Sequence, residues 1–384
     1  MSLRLLTAGE SHGPELVVVL DGMPAGVPID QEEVDHHLRR RQQGYGRGAR
    51  STKVERDHAE IVSGVFQGRT TGAPIAIRIA NQDYLNQPAA PRPPITVPRP
   101  GHADLAGAVK YGAQDLRQIR ERASARETAG RVAAGALAGA LLSEFSIEVG
   151  SFVTSVGMIT TGWDLAHLSG EELRALAAAA ERDQMRCPDQ SAAQLMVEAV
   201  DRARLGRETL GGTFVVFATN LPLGLGSHTQ WDLRLDGRLA GAMLSVPAVK
   251  GVEVGPAFEV ARMQGSLAQD PIASVTGSAP RRSNFAGGVE GGMTDGQPLV
   301  IRCAMKPLSS VRAPLASVDL ATGAGSEPPY IRSDICAVPA AAVVGEAMVR
   351  VVLASALLDR FGGDRLDLML AAASGLGPAG GDVS

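Results

Sequence analysis

A chain of 384 residues with 45% hydrophobic content can bury a large core, as one large domain or two ordinary ones. Its formal charge of −4 leaves no global basic excess to draw it to nucleic acid or an acidic membrane, and aromatics at 4% are too few for the stacking surface of a single-strand binder. Three cysteines without paired spacing (Cys187, Cys303, Cys336) argue against both a disulfide framework and a zinc site.

In chain order, residues 3–7 and 16–20 read as short strands around a Gly9–Gly13 turn. Asp30 is placed to cap a helix over 31–41, with Glu32 and Glu33 in its first turn and Arg39, Arg40 and Arg41 in its last, as the helix dipole favours. A basic glycine loop follows over 44–50, and strands are predicted over 60–65 and 74–79. Residues 81–101 are proline-rich and without periodicity; a loop of that length inside a compact domain is functional or mobile.

A long alanine-rich helix is predicted over 124–144, further helices over 171–182 and 192–205, and strands over 147–155, 213–218 and 298–305. The stretch 265–296 reads as loop. Residues 340–358 form an apolar helix carrying Glu346 and Arg350, so it reads as buried or interfacial rather than membrane-spanning. No linker or repeat divides the chain. The expectation is one α/β domain of the α+β type over 1–375 with long active-site loops, followed by a disordered tail over 376–384. The N-terminus reaches polar residues too soon for a signal peptide, which makes a reduced, cytoplasmic protein the default.

Three polar segments abut apolar elements and carry the chemistry. Gly9-Glu10-Ser11-His12-Gly13 matches the serine-hydrolase elbow in letters only, because that motif needs a following helix and residues 16–20 are strand-forming. Ser11 remains as a hydroxyl ligand and His12 as a proton carrier, the alternative being a histidine that merely bonds the turn. The second segment runs from Glu121 to Thr128. Its arginines Arg120, Arg122 and Arg126 surround Ser124, a helix cap where backbone N–H groups favour phosphate. The third is Arg332-Ser333-Asp334.

Other signals are weaker. Only four of the 37 basic residues are lysine, and arginine forks grip phosphate or carboxylate bidentately. Arg41, Arg47 and Arg50 are either a solvated surface or an anion grip. His102 closes the proline-rich loop with Asp104 two residues on, a carboxylate able to fix its tautomer. Lys306-Pro307-Leu308-Ser309-Ser310 sets a lysine before two hydroxyls, a grip for a phosphate tail, and the glycines over 287–292 offer backbone to a flat ring. No metal-ligand spacing is present, and the Gly-x-Gly-x-x-Gly string at 375–380 has no room for a following helix.

Together these segments resemble chorismate synthase across nearly the whole chain. Residues 9–24, 121–135 and 332–348 look like that family's three signatures, with Ile335 standing where many members carry proline or a small residue. The resemblance implies antiparallel sheets sandwiching central helices, a homotetramer, and conversion of 5-enolpyruvylshikimate-3-phosphate to chorismate and phosphate with reduced flavin mononucleotide. It implies flavin contacts from Arg122, Ala123, Ser124, Pro247, Ala248, Gly291, Lys306, Pro307, Leu308, Ser309, Ser310 and Arg332. It implies acid–base roles for His12, His102 and Asp334, and either nicotinamide dinucleotide phosphate or substrate phosphate on Arg41 and Arg47. Ser11, Arg50 and Arg126 are weaker substrate candidates. No dinucleotide fold is readable, so NADPH would act only indirectly, through an external flavin reductase. The nearest rival is another flavoenzyme acting on a phosphorylated small acid.

Overall fold

The computed structural model describes residues 3–48, 57–82, 84, 93–273, 281–313, 315–330 and 333–374. Arg50, Arg332 and the 376–384 tail lie outside the described residues, as does much of the proline-rich stretch.

Two antiparallel sheets enclose a pair of helices. The first sheet holds β1 (Arg4–Gly9), β2 (Glu15–Asp21), β3 (Ala59–Ile61) and β4 (Ile75–Ala80) in the order β1-β2-β4-β3. On β2 the inward positions Leu16, Val18 and Leu20 are buried while their neighbours are half-buried, the period of two expected of a strand with one core face. The strand predicted over 60–65 is divided. β3 ends at Ile61, and Val65–Phe66 turns back on Arg69–Thr70 as a separate hairpin. Gly64 makes that break with φ +81°, where a Cβ would lie 2.7 Å from the Ile75 Cα.

The second sheet holds β5 (Glu148–Val156), β6 (Ile159–Thr160), β7 (Gly212–Thr219), β8 (Val249–Val254) and β9 (Leu299–Met305), ordered β8-β9-β7-β5-β6. The helices are α1 (Gln31–Gln42), α2 (Asp104–Tyr111), α3 (Arg117–Arg122), α4 (Thr128–Glu144), α5 (Gly170–Ala180), α6 (Gln190–Leu205), α7 (Leu235–Leu244), α8 (Val338–Phe361) and α9 (Leu366–Ser374), besides two four-residue turns at Ala257–Val260 and Gly265–Ala268. Helix α1 begins where expected, with Asp30 accepting from the Glu32 N–H at 2.9 Å.

Helices α4 and α8 form the centre. The first lies against β2 and the second against β5 and β7, giving a sheet–helix–helix–sheet stack with one apolar core running through both sheets. The expected sandwich around central helices is thus present. Gly135 lets the two helices meet: a Cβ there would stand 2.4 Å from the Ala347 Cβ. Enclosed for most of its length between α4 and the second sheet, α8 is apolar beyond one face because most of it is buried.

Its one central acid is satisfied. Glu346 is 1% exposed and accepts from Arg40 through both oxygens at 2.7 and 2.8 Å and from Ser151 Oγ at 2.6 Å. Burial alone would raise this carboxyl; Arg40, followed by Arg350 and Arg186, overrides that and holds it well below the usual carboxylate range. Arg40, placed by the sequence in the basic last turn of α1, is therefore a core residue.

Candidate active site

The site is organised by α3 and the short 3-10 turn Ala125–Glu127 that joins it to α4. Four consecutive contacts tie this segment to the Gly9–Gly13 turn. The Ser11 N–H donates to the Glu121 carbonyl at 3.1 Å, and the His12 N–H donates to Glu121 Oε2 at 2.6 Å. His12 Nδ1 lies 2.8 Å from Glu121 Oε1, and Ser124 Oγ donates to Ser11 Oγ at 3.0 Å. Arg122 closes the turn from below, donating to the Thr7 carbonyl at 2.7 Å and the Gly9 carbonyl at 3.3 Å. Ser124 caps the 3-10 turn by accepting from the Arg126 N–H at 3.3 Å, so the α-helix predicted from 124 begins one turn later, at Thr128. Asn81 fixes the far side, donating to the carbonyls of Ser11 and Gly13 at 3.0 and 2.8 Å.

His102 sits at the end of the proline-rich loop, just before α2. Its Nδ1 is 2.6 Å from Oδ1 of Asp104, which is fully buried. Asp104 also accepts from the Arg99 N–H at 3.0 Å and from Arg120 Nε at 2.9 Å. Burial by itself would raise the Asp104 carboxyl, but the hydrogen bonds from His102 and Arg99 and the Arg99 charge hold it well below its ordinary range. A carboxylate at that distance makes Nδ1 the protonated nitrogen, so the Arg99 Nη2 that stands 3.1 Å from the same atom is an ion close by rather than a second donor.

Lys306–Ser310 faces this loop. Lys306 Nζ donates to the Gly101 carbonyl at 3.1 Å, and Arg99 Nη1 donates to Ser310 Oγ at 3.0 Å. Gly101, with φ +76°, brings its backbone against the segment: a Cβ would lie 3.5 Å from both Lys306 Nζ and the Ser309 Cβ. Ala248, itself at φ +68°, accepts from the Lys306 N–H at 2.9 Å, and the Leu308 carbonyl accepts from Thr209 Oγ1 at 2.7 Å. A cavity of about 220 Å³ opens here, lined in part by Arg99, Pro100, Ser309, Ser310, Arg312 and Tyr330. Ser333 Oγ reaches the Ser310 carbonyl at 3.4 Å, which brings Asp334 to the same neighbourhood. Asp334 in turn accepts from Arg47 Nη1 at 2.5 Å and the Gly48 N–H at 2.6 Å.

Arg41 and Arg126 belong to a third, more buried group. Arg126 Nη1 donates to both oxygens of Asp57 at 2.7 Å, and Arg41 Nη1 stands 3.6 Å from the same carboxylate. Arg41 Nε also donates to Thr128 Oγ1 at 3.0 Å, at the start of α4. The turn 120–128 therefore touches all three groups: Arg120 meets the His102 carboxylate, Glu121 meets His12, and Arg126 meets Asp57. Gly291 lies apart, at the turn of the hairpin of Val289–Glu290 and Met293–Thr294, and among the described residues no hydrogen bond joins it or Pro247 to either histidine.

Glu121, Asp57 and Arg99 have no role in the sequence reading. Asp57 is an isolated carboxylate 69 positions from Arg126, and nothing local marks the pair. Glu121 was visible only as the first letter of a conspicuous polar run. What results chemically is a pair of imidazoles, each committed through Nδ1 to a carboxylate, beside hydroxyls, a lysine and an Arg–Asp pair: a set suited to moving protons next to an anion.

The comparisons with known proteins agree with this geometry. The chorismate synthase family profile matches residues 3–358. A chorismate synthase of Rubrobacter xylanophilus is 51% identical over 96% of this chain and 94% of its own length, and one of Aquifex aeolicus is 50% identical over 95% of each. A crystal structure of chorismate synthase superimposes with a TM-score of 0.81 at 43% identity, covering 98% of this chain and 97% of that one. The chain belongs to the chorismate synthase family, carbon–oxygen lyases that make chorismate in the last step of the shikimate pathway.

Proposed function

We propose that the chain carries out the family's anti 1,4-elimination of phosphate from 5-enolpyruvylshikimate-3-phosphate with His12, His102 and Asp334 as its proton-handling residues and reduced flavin mononucleotide as cofactor. The observation that carries this reading is the common anchoring of both imidazoles. His12 and His102 each present Nδ1 to a carboxylate held on the same short segment or bound by it.

With Nδ1–H committed to Glu121, the proton His12 can deliver is the one on Nε2, and its acceptor is the departing phosphate oxygen. His12 is 44% exposed on a turn whose glycines allow close approach, as an incoming ligand requires. His102, backed by the buried Asp104, balances negative charge in the cofactor region. Asp334 would accept the proton passed on from the cofactor; its carboxylate must first exchange Arg47, which is then available to an anionic group of the substrate.

The residues around Lys306 fit a phosphorylated ring cofactor. An ammonium, the hydroxyls of Ser309 and Ser310 and the close backbone of Gly101 and Ala248 form a donor set of the kind a phosphate tail needs. Arg122, Ala123, Ser124, Pro247, Ala248, Gly291, Lys306–Ser310 and Arg332 would hold the flavin. When bound, the reduced ring is electron-rich and able to lend density to the departing system and take up the hydrogen.

Arg41 and Arg47 serve either substrate phosphate or a nicotinamide dinucleotide phosphate. The proposal extends to a cytoplasmic homotetramer that acts as a single catalytic unit over 1–375, supplied with reduced flavin by a separate reductase. Purified protein, substrate and anaerobically reduced flavin should release phosphate catalytically. Stoichiometric consumption of reductant would refute the elimination, and robust aerobic turnover with only NADPH and oxidised flavin would refute the external reductase.

A further inference from the structure

An imidazole on an exposed turn has little to hold it. The χ2 torsion of histidine is broad and roughly two-fold, so a ring flip exchanges Nδ1 with Cδ2 and Nε2 with Cε1 and removes the reactive nitrogen from its target. Among the described residues, Glu121 opposes that flip. Glu121 accepts from the His12 backbone N–H at 2.6 Å through one oxygen and meets ring Nδ1 at 2.8 Å through the other. Its own carbonyl accepts from the neighbouring Ser11 N–H at 3.1 Å. A carboxylate bound at both the backbone and the ring of one residue fixes that residue's χ1 and χ2 together.

The preceding residue does the same for the other histidine at one remove. Arg120 is buried and donates from Nε to Asp104 Oδ2 at 2.9 Å; Asp104 Oδ1 meets His102 Nδ1 at 2.6 Å. We propose that the consecutive pair Arg120–Glu121 at the end of α3 positions both imidazoles, Glu121 acting directly on His12 and Arg120 acting on His102 through Asp104. Neither touches the reacting atoms; each selects an Nδ1–H tautomer and a ring orientation. The inference rests on the reading of His12 and His102 as proton-handling groups.

Two variants separate the arms. Glu121→Gln keeps the side-chain shape and removes the anionic acceptor; Arg120→Lys keeps the charge and removes the guanidinium fork. Ring ¹⁵N signals of histidine report which nitrogen carries the proton, and solid-state spectra of the whole assembly, assigned with His12→Ala and His102→Ala, read both rings at once. Glu121→Gln should move the His12 ring signals and leave those of His102 in place, while Arg120→Lys should do the reverse. In turnover, Glu121→Gln should lower kcat by roughly 10²–10⁴ with KM within about twofold, the upper figure being what loss of a tautomer-fixing carboxylate costs a serine-hydrolase triad. Unmoved His12 signals or an unchanged kcat in Glu121→Gln would overturn the proposal. So would equal displacement of both rings, which would mean that Glu121 only holds α3 in place. If His12→Ala retained turnover while Glu121→Gln still moved the His12 signals, the proton-donor role would fail and the positioning role would stand.

Discussion

Arg47 and Asp334 form a contact between two parts of the chain that are 287 residues apart: Arg47 Nη1 donates to Asp334 Oδ2 at 2.5 Å, with both side chains largely buried. The Gly48 N–H occupies the other carboxylate oxygen at 2.6 Å. Each carboxylate oxygen of Asp334 thus already accepts one hydrogen bond, and the Arg47 ion stands against the oxygen that would take a proton. An arriving phosphate or carboxylate competes for Arg47 and thereby releases one oxygen of Asp334, which couples anion binding to proton acceptance. Asp334→Asn should cut kcat by roughly 10²–10⁴, the usual worth of general acid–base catalysis, while leaving flavin affinity nearly unchanged. Arg47→Ala should instead raise KM for the phosphorylated substrate more than it lowers kcat. Steady-state kinetics with flavin titration checks both, and near-normal kcat in Asp334→Asn would remove that residue from the proton path.

The two histidines are expected to behave alike in turnover but not in their dependence on structure. His12→Ala and His102→Ala should each cost roughly 10²–10⁴ in turnover. His12 is largely exposed and its loss should leave the thermal melt within a degree or two of wild type. His102 is the hydrogen-bond partner of the fully buried Asp104, so His102→Ala should also lower the melting temperature measurably, by leaving a buried carboxylate short of a partner. Differential scanning fluorimetry beside the kinetic assay distinguishes the two.

What the sequence showed and what it concealed follow from the range of the interactions. The α1 cap at Asp30, the β2 alternation and the apolar α8 are local patterns, so each element was readable within a window of its own residues. His12, Ser124 and Asp334 stood out because polar runs beside apolar elements are unusual. The partners of these residues did not. Glu121 reaches His12 across 109 positions and Arg47 reaches Asp334 across 287, and no periodicity encodes such pairings. Arg40 and Arg41 show the same limit: their place in a basic last turn is local and was readable, but their burial against Glu346 and Asp57 comes only from tertiary packing. The short helices α2 and α3 are likewise too brief to carry an amphipathic signature.

Gly135 is the position where the central helices are closest. A methyl group there would stand 2.4 Å from the Cβ, 2.5 Å from the Cα and 2.9 Å from the carbonyl oxygen of Ala347, so backbone rather than a flexible side chain must yield. Gly135→Ala raises helix propensity and would stabilise an isolated α4 by about 1 kcal/mol. In the folded protein, overpacking at a helix–helix contact should win and destabilise by about 1–3 kcal/mol net. Because α4 begins at Thr128, the residue that binds Arg41, a displacement of the helix should also weaken turnover. Chemical denaturation gives the sign: a variant as stable as wild type would show that α4 and α8 separate at little cost.

The buried charges around Glu346 set how stability depends on pH. Burial, then Arg350 and Arg40, push the His37 imidazole down from 6.5 to about 2, so it is neutral in the fold but titrates normally in the unfolded chain. A depressed folded-state value means that the unfolded chain binds the proton first, so stability is lost as pH falls below 6.5. Glu346 is also held below its ordinary 4.5, by Arg40 against the opposing effect of burial, and its share is lost as pH falls below 4.5. The two losses have the same sign and overlap below pH 4.5, where both groups contribute. Denaturant midpoints should therefore decline from pH 7 to pH 5 and more steeply below pH 4.5. His37→Gln cannot titrate, so it should flatten the upper limb and make the lower one shallower, leaving there the loss due to Glu346. Glu346→Gln should lower stability at pH 7 by about 3–5 kcal/mol, the cost of leaving buried guanidinium groups without their counter-ion. A wild-type midpoint that stayed level between pH 7 and pH 5 would show that His37 is protonated in the fold and that the arginines on either side of it do not keep it neutral.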